Sequence, residues 1–172
     1  MRGSLVVTIV GPDRTGLVET LAHEISAAGG NWEASRMVRL AGQFAGVLLV
    51  TTPPDGLDAL HRALAALTSA GLTVTTHAAG DAPPPATRVA HLDITGADRV
   101  GLVRDVARVL AARGVNVEEF ESDVHSAPMS GEPLFLGRAL LRVTAEQSLP
   151  ALRADLEALG SDLMIDLLAS DD

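Results

Sequence analysis

A chain of 172 residues has room for one ordinary domain or two small ones. Its 47% hydrophobic content is almost wholly aliphatic, because Trp32, Phe44, Phe120 and Phe135 are the only aromatic residues, and a core of Leu, Val, Ile and Ala suits layers of sheet and helix. The absence of cysteine excludes a disulfide framework and Cys-ligated metal centres, and a formal charge of −9 argues against direct binding to nucleic acid.

Ser4–Val10 is an apolar, β-branched run and predicts a strand. Gly11–Gly16 reads as a turn, with Asp13 placed to cap the helix that follows. Apolar residues at 17, 18, 21, 22 and 25 give the stripe of a helix with one buried face, which Gly29-Gly30 ends. Two strands are predicted next, Asn31–Leu40 and Gln43–Thr52, joined at Ala41-Gly42 and stopped by Pro53-Pro54. Leucines at 57, 60, 64 and 67 mark a second helix to about Ala70, and Leu72–His77 closes the unit as a strand. The order βαββαβ is the split βαβ, or ferredoxin-like, arrangement: a four-stranded antiparallel sheet with two helices on one face.

The same unit then recurs. Ile9–Val18 aligns with Ile94–Val103 at a shift of 85, through Gly11/Gly96, Asp13/Asp98, Arg14/Arg99, Gly16/Gly101 and Leu17/Leu102. The shift carries through Gly29/Gly114 and Asn31/Asn116, and Leu57, Leu60, Leu64 and Leu67 align with Leu149, Leu152, Leu156 and Leu159 at a shift of 92. So many matches at consistent offsets read as a duplication. The seven-residue difference is assigned to an insertion in the turn-rich stretch 126–133, read as a plain solvent loop. The expected organisation is α+β, with one domain over 1–78, a linker over 79–87 stiffened by Pro83-Pro84-Pro85, and a second domain over 88–172.

The copies differ in charge. Residues 1–80 hold five arginines against six acids, whereas residues 88–172 hold eight against fifteen. On the sheet face away from the helices, Val6, Thr8 and Val10 are expected in copy one against His91, Asp93 and Thr95 in copy two. For the third strand the expectation is Gly46, Leu48 and Val50 against Arg138, Leu140 and Arg142. An apolar open face wants a cover, so a homodimer or close packing of the two domains is expected. No secretion signal or bilayer-length apolar run is visible, and a cytoplasmic protein without membrane contact is the expectation.

The Asp-Arg-x-Gly-Leu turn after strand one (Asp13–Leu17, Asp98–Leu102) and the Gly-x-Asn step after helix one (Gly29–Asn31, Gly114–Asn116) resemble the ACT domain. Two such domains with little else attached resemble the glycine cleavage system transcriptional repressor group. The resemblance implies a regulatory protein rather than an enzyme, sensing a small molecule, of which an amino acid is the expected kind. It also implies action through a protein partner rather than on DNA itself, and no cofactor. The residues it points to as ligand-binding are Gly11, Pro12, Asp13, Arg14, Thr15, Gly16 and Asn31 in copy one, and Asp98, Arg99, Gly101 and Asn116 in copy two. In such domains the turn meets the Asn of another domain, so each turn needs an Asn from elsewhere. The chemistry is intelligible: backbone N–H groups at a helix start suit a carboxylate, and an Asn side-chain oxygen suits an ammonium. A helix terminus contributes about 0.3–2 kcal/mol toward an anion, short of the roughly 4 kcal/mol that millimolar binding needs. The bland reading stands beside it: Asp13 and Asp98 as helix caps, the glycines as turn formers, Asn31 and Asn116 as helix-end residues, that is, a ligand-free partner-binding module.

Other chemistry is set aside. Gly-x-x-x-x-Gly at 11–16 and 96–101 is followed by Leu-Val, not by Lys-Ser or Lys-Thr, so a phosphate-binding loop fails. The histidines at 23, 61, 77, 91 and 125 have no metal-ligand spacing. His91 beside Asp93 and Arg138 or Arg142 reads as a polar interface, and Glu118, Glu119, Glu121 and Asp123 as an edge strand protected by charge.

Overall fold

The computed structural model describes residues 3–80, 87–128 and 131–170. The chain divides into two compact units, Met1–Ala82 and Pro83–Asp172. The proline-rich linker expected at 79–87 lies mostly outside the described residues.

Unit 1 runs β1 (Gly3–Pro12), α1 (Leu17–Ala27), β2 (Asn31–Leu40), β3 (Gln43–Thr52), α2 (Leu57–Ala66) and β4 (Thr73–Ala78), with a 3₁₀ turn over Leu67–Ala70 extending α2. Its strands are all antiparallel in the order β2-β3-β1-β4. The core lies between sheet and helices: Leu5, Val7 and Ile9 of β1 and Leu48 and Val50 of β3 meet Leu17, Leu21 and Ile25 of α1 and Leu60 and Leu64 of α2. The buried stripe of α1 is narrower than its apolar pattern, since Val18 and Ala22 are exposed.

Unit 2 runs β5 (Thr87–Ala97), α3 (Leu102–Ala112), β6 (Asn116–Ser126), β7 (Pro133–Thr144), α4 (Leu149–Glu157) and β8 (Met164–Ala169), in the order β6-β7-β5-β8. Ala90, Leu92, Ile94, Ala139, Leu141 and Val143 of the sheet pack on Leu102, Val106 and Leu110 of α3 and Leu152 and Leu156 of α4. The βαββαβ unit occurs twice, as the sequence predicts.

One expectation is reversed. Gly46, Leu48 and Val50 face the helices and are buried, so Ala45, Val47 and Leu49 form the outer face of β3. The cause is register. Leu48 pairs with Val7, and Val7 is the counterpart of Leu92, which pairs with Ala139. The shift between β3 and β7 is therefore 91, not 92. The hairpin between β6 and β7 holds six of the extra residues and the seventh precedes α4. In a strand a one-residue slip exchanges the faces. With the register corrected, Val6, Val10, Val38, Val47 and Leu49 line unit 1's outer face, and Val38 is 57% exposed. In unit 2 a row of Glu121, Arg138, Asp93 and Asp166 crosses the corresponding face.

The hairpins differ too. Ala41 and Gly42, at φ 48° and 79°, close β2 and β3 in a two-residue turn that needs positive φ at both positions. In unit 2 the connection spans 127–132, of which 129 and 130 lie outside the described residues. There Ala127 N–H donates to Glu132 O (2.8 Å) and Gly131 N–H to Ala127 O (2.9 Å). No helix among the described residues is long and apolar enough to cross a membrane.

Candidate functional site

The turn between β1 and α1 is built on two glycines with different tasks. Gly11 is the last residue but one of β1, paired with Phe44. A Cβ on it would stand 2.7 Å from Leu72 Cδ2 and 2.8 Å from Gly71 O. The chain's own Leu72 therefore fills the space that a bare backbone leaves, and Gly96 is filled likewise by Leu163 Cδ2 at 2.5 Å. These glycines serve packing. Gly16 is the other kind: it precedes α1 at φ 89°, a left-handed conformation natural to glycine, and among the described residues nothing but its chain neighbours lies within 4 Å of where its Cβ would be. Thr20 N–H makes the first bond of α1, to Gly16 O. The amides of Leu17, Val18 and Glu19 stand ahead of it, where a helix has no internal acceptors for them.

Asp13 is not the helix cap that the sequence suggests, since Gly16 holds the cap position without any side-chain hydrogen bond. Instead, Arg39 Nε at the end of β2 donates to Asp13 Oδ2 at 2.6 Å, and Asp13 N–H donates to Gly42 O at 2.9 Å. Asp13 thus ties the turn to the β2–β3 hairpin. The backbone half of that tie recurs in unit 2, where Asp98 N–H donates to Pro133 O at 2.9 Å. The side-chain half has no counterpart, because Val124 stands where Arg39 would be. Pro12 and Thr15 are exposed, and Arg14 Nη2 donates to Ala70 O at 3.3 Å, away from the start of α1.

Around the start of α3 the arrangement changes. Arg99 Nη1 donates to Asp105 Oδ2 at 2.8 Å, and Arg104 Nη2 and Nε donate to Asp105 Oδ1 at 3.0 and 3.2 Å. Arg108 Nη2 lies 3.8 Å from the same carboxylate. Asp105 is only 8% exposed. Hydrogen bonds from Arg99 and Arg104 hold its carboxyl below the usual carboxylate range, against the opposing effect of burial. A group lowered in this way stabilises the fold above the ordinary carboxylate range, and that contribution is lost as pH falls through the lowered value. The corresponding residues of unit 1 are Arg14, Glu19, Thr20 and His23, and there Thr20 Oγ1 only donates back to Gly16 O (3.0 Å).

Asn31 and Asn116 open β2 and β6 at the far end of each sheet. Asn31 and Ser4 both pair with Thr51, whereas the turn begins at Gly11, so about 23 Å of strand separates Asn31 from it. Within a unit, then, turn and asparagine do not meet. Each asparagine is followed by a bulged strand. In unit 1 Glu33 sits in the bulge and accepts from Asn31 Nδ2 (2.9 Å) and Thr51 Oγ1 (2.7 Å). Because a carboxylate only accepts, the amide nitrogen of Asn31 must face it, leaving the Asn31 carbonyl oxygen directed elsewhere. In unit 2 the matching Glu118 accepts from Arg142 Nε at 2.7 Å. Neither glutamate is among the site residues that the sequence suggests, and the Asn-x-Glu spacing shared by 31–33 and 116–118 is the signal that could have found them.

On the outer face of unit 2, Asp93 pairs with Arg138 at 3.4 Å, while Arg142 turns to Glu118. A shallow depression of about 380 Å³ lies over Asp93, Thr95, Glu121, Asp123 and Arg138. No group of three or more His, Asp or Glu is placed to hold a metal ion among the described residues.

Two ferredoxin-like units, each with a glycine-bearing turn ahead of its first helix, form a tandem fold of the ACT type. A family model of the ACT domain matches residues 4–77, which is unit 1 from β1 to β4. The match spans unit 1, and unit 2 repeats its topology. The whole chain is similar to an unknown protein from Galdieria sulphuraria, with 29% identity and a TM-score of 0.83, covering 99% of this chain and 100% of that one. It also shares its fold with a protein proposed to be a glycine cleavage system transcriptional repressor, at 19% identity and a TM-score of 0.71, over 100% of this chain and 99% of the other. No curated protein matches the sequence.

Proposed function

We propose that the chain is a cytoplasmic regulatory protein that senses a small molecule, an amino acid by the chemistry of the turn, and passes the signal on through protein–protein contacts. The observation that carries this reading is the start of α1. Among the described residues nothing but its chain neighbours stands near the Cβ position of Gly16, Arg14 is engaged with Ala70 O, and the first amides of the helix have no acceptor within it. A ligand carboxylate fits those amides, and an ammonium fits an Asn carbonyl oxygen such as Glu33 leaves available on Asn31. Because Asn31 lies at the opposite end of its own sheet, a turn and an asparagine from different domains would complete one site. That requirement fits a homodimer, and the apolar outer face of unit 1 is where a second copy would find a matching surface. Regulation of glycine or related amino-acid metabolism at the level of transcription, through a DNA-binding partner, is the pathway-level form of the proposal. The domain limits 1–78 and 88–172 belong to it as well.

Calorimetric titration of the full chain with glycine, L-serine and a panel of other amino acids tests it. Binding at micromolar to millimolar dissociation constants is expected, with a ligand-dependent rise in melting temperature. Trp32, adjacent to Asn31 and half-buried against the core, reports the asparagine end by fluorescence. No heat, no thermal shift and no fluorescence change across the panel would leave a ligand-free partner-binding module in place of a sensor.

A further inference from the structure

The two turns share a backbone and differ in what covers it. In unit 1 no atom of the described residues, its chain neighbours aside, approaches the Cβ position of Gly16 within 4 Å. In unit 2 the guanidinium of Arg104 lies over Gly101, with Nη2 3.1 Å from the same position. Arg14 reaches away to Ala70 O, whereas its counterpart Arg99 folds across the start of α3 to Asp105. Asp105 receives three hydrogen bonds from two guanidiniums, with a third guanidinium at 3.8 Å, in the first turn of a helix whose dipole also favours negative charge. Charge-assisted, convergent donors of this kind are how a protein holds a carboxylate. Here the carboxylate is the protein's own.

We infer that Asp105 is a built-in carboxylate filling the anion place of unit 2, latched by Arg99 and Arg104, so that the chain presents a single open turn, the one at Gly16. The second half of this statement rests on the sensing function proposed above; the first half does not. Thr20, the unit 1 counterpart of Asp105, carries no charge, and Glu19 stands where Arg104 does, so unit 1 can form neither the latch nor the cover.

The test removes the internal carboxylate and supplies a free one. In the full-length Asp105→Ala chain, Arg99, Arg104 and Arg108 lose their anion, and formate is small enough to replace it. Formate is expected to raise the melting temperature of this variant saturably, by a few degrees, and to leave the original chain unmoved. Pivalate, of equal charge but branched bulk, controls for ionic strength. Should Asp105→Ala not fold, Asp105→Thr places the unit 1 residue at that position and is titrated in the same way. Calorimetry with whichever amino acid binds should return one ligand per original chain, abolished by Gly16→Val. Equal responses of variant and original chain to formate, or of the variant to formate and pivalate, overturn the latch. Two ligands per original chain overturn the single open turn. Formate rescue without any amino-acid binding sustains the latch and sinks the sensing function instead.

Discussion

Units 1 and 2 have one topology, one inner face and one backbone tie between turn and hairpin, yet the polar side chains they share at the candidate site make different contacts. Asp13 is pinned by Arg39, whereas Asp98 faces a valine's place. Glu33 orients an asparagine, whereas Glu118 answers an arginine. One outer face carries Val6, Val10, Val38, Val47 and Leu49, and the other sets a charged row among Leu136, Leu140 and Leu168. Among the positions held in common, several are enclosed: Gly11 and Gly96 against leucine, Leu17 and Leu102, Leu60 and Leu152. The fold is specified by what is enclosed, and specialisation is written on what is not.

The strongest challenge to that division is a pair of adjacent substitutions in β3. Leu48, 1% exposed, is enclosed, and Leu48→Ala should cost about 2–5 kcal/mol in chemical denaturation. Val47→Ala, on the outer face, should cost about 0.5 kcal/mol or less at dilutions where the chain is monomeric. Equal losses would contradict the assignment of Leu48 to the inner face of β3 and Val47 to the outer. Next in size are Gly11→Ala and Gly96→Ala, each expected to lower stability by roughly 1–3 kcal/mol, because a backbone carbonyl as well as a leucine stands in the way of the new methyl. If only one of the two were damaging, the glycines would not share a packing role.

Two smaller effects should stabilise. Thr52 Oγ1 is buried without a hydrogen-bond partner among the described residues, and the counterpart position in unit 2 is Val143. Thr52→Val should raise stability by about 1 kcal/mol, read as a shifted denaturation midpoint at constant slope. Ala41 adopts φ 48° in the tight hairpin, a conformation that suits glycine or asparagine better. Ala41→Gly should add up to about 1 kcal/mol, and a change of the same sign at Ala127 is not expected, since Ala127 has no positive φ.

The repeated unit, its strand order and the limits of β2 and β3 were legible because they rest on periodicity and on matches repeated at fixed offsets. The outward face of β3 was not. Its assignment needs the insertion to be divided between two loops, and an offset taken from the helices is wrong by the one residue that reverses a strand. The cap of α1 was hidden for a related reason. Asp two to four residues before a helix is a local signal, and it is overridden by Arg39, which is 26 residues away in sequence and adjacent only through the hairpin. Of the candidate site, Gly16 was legible as a turn residue, and its left-handed conformation comes from the structure. The Arg99–Asp105–Arg104 cluster was not, because the changes from Glu19 and Thr20 to Arg104 and Asp105 acquire meaning only once Arg99, unlike Arg14, is seen to turn toward the helix.

The leucine that lies against Gly11, and its twin against Gly96, bears on how such chains change over generations. Selection for folding alone is enough to retain both glycines, whether or not anything binds beside them. A descendant whose first turn served no ligand would keep that part of its ancestral signature intact, and change would be recorded first at the residue before the helix, where nothing among the described residues but its chain neighbours stands near the Cβ position of Gly16.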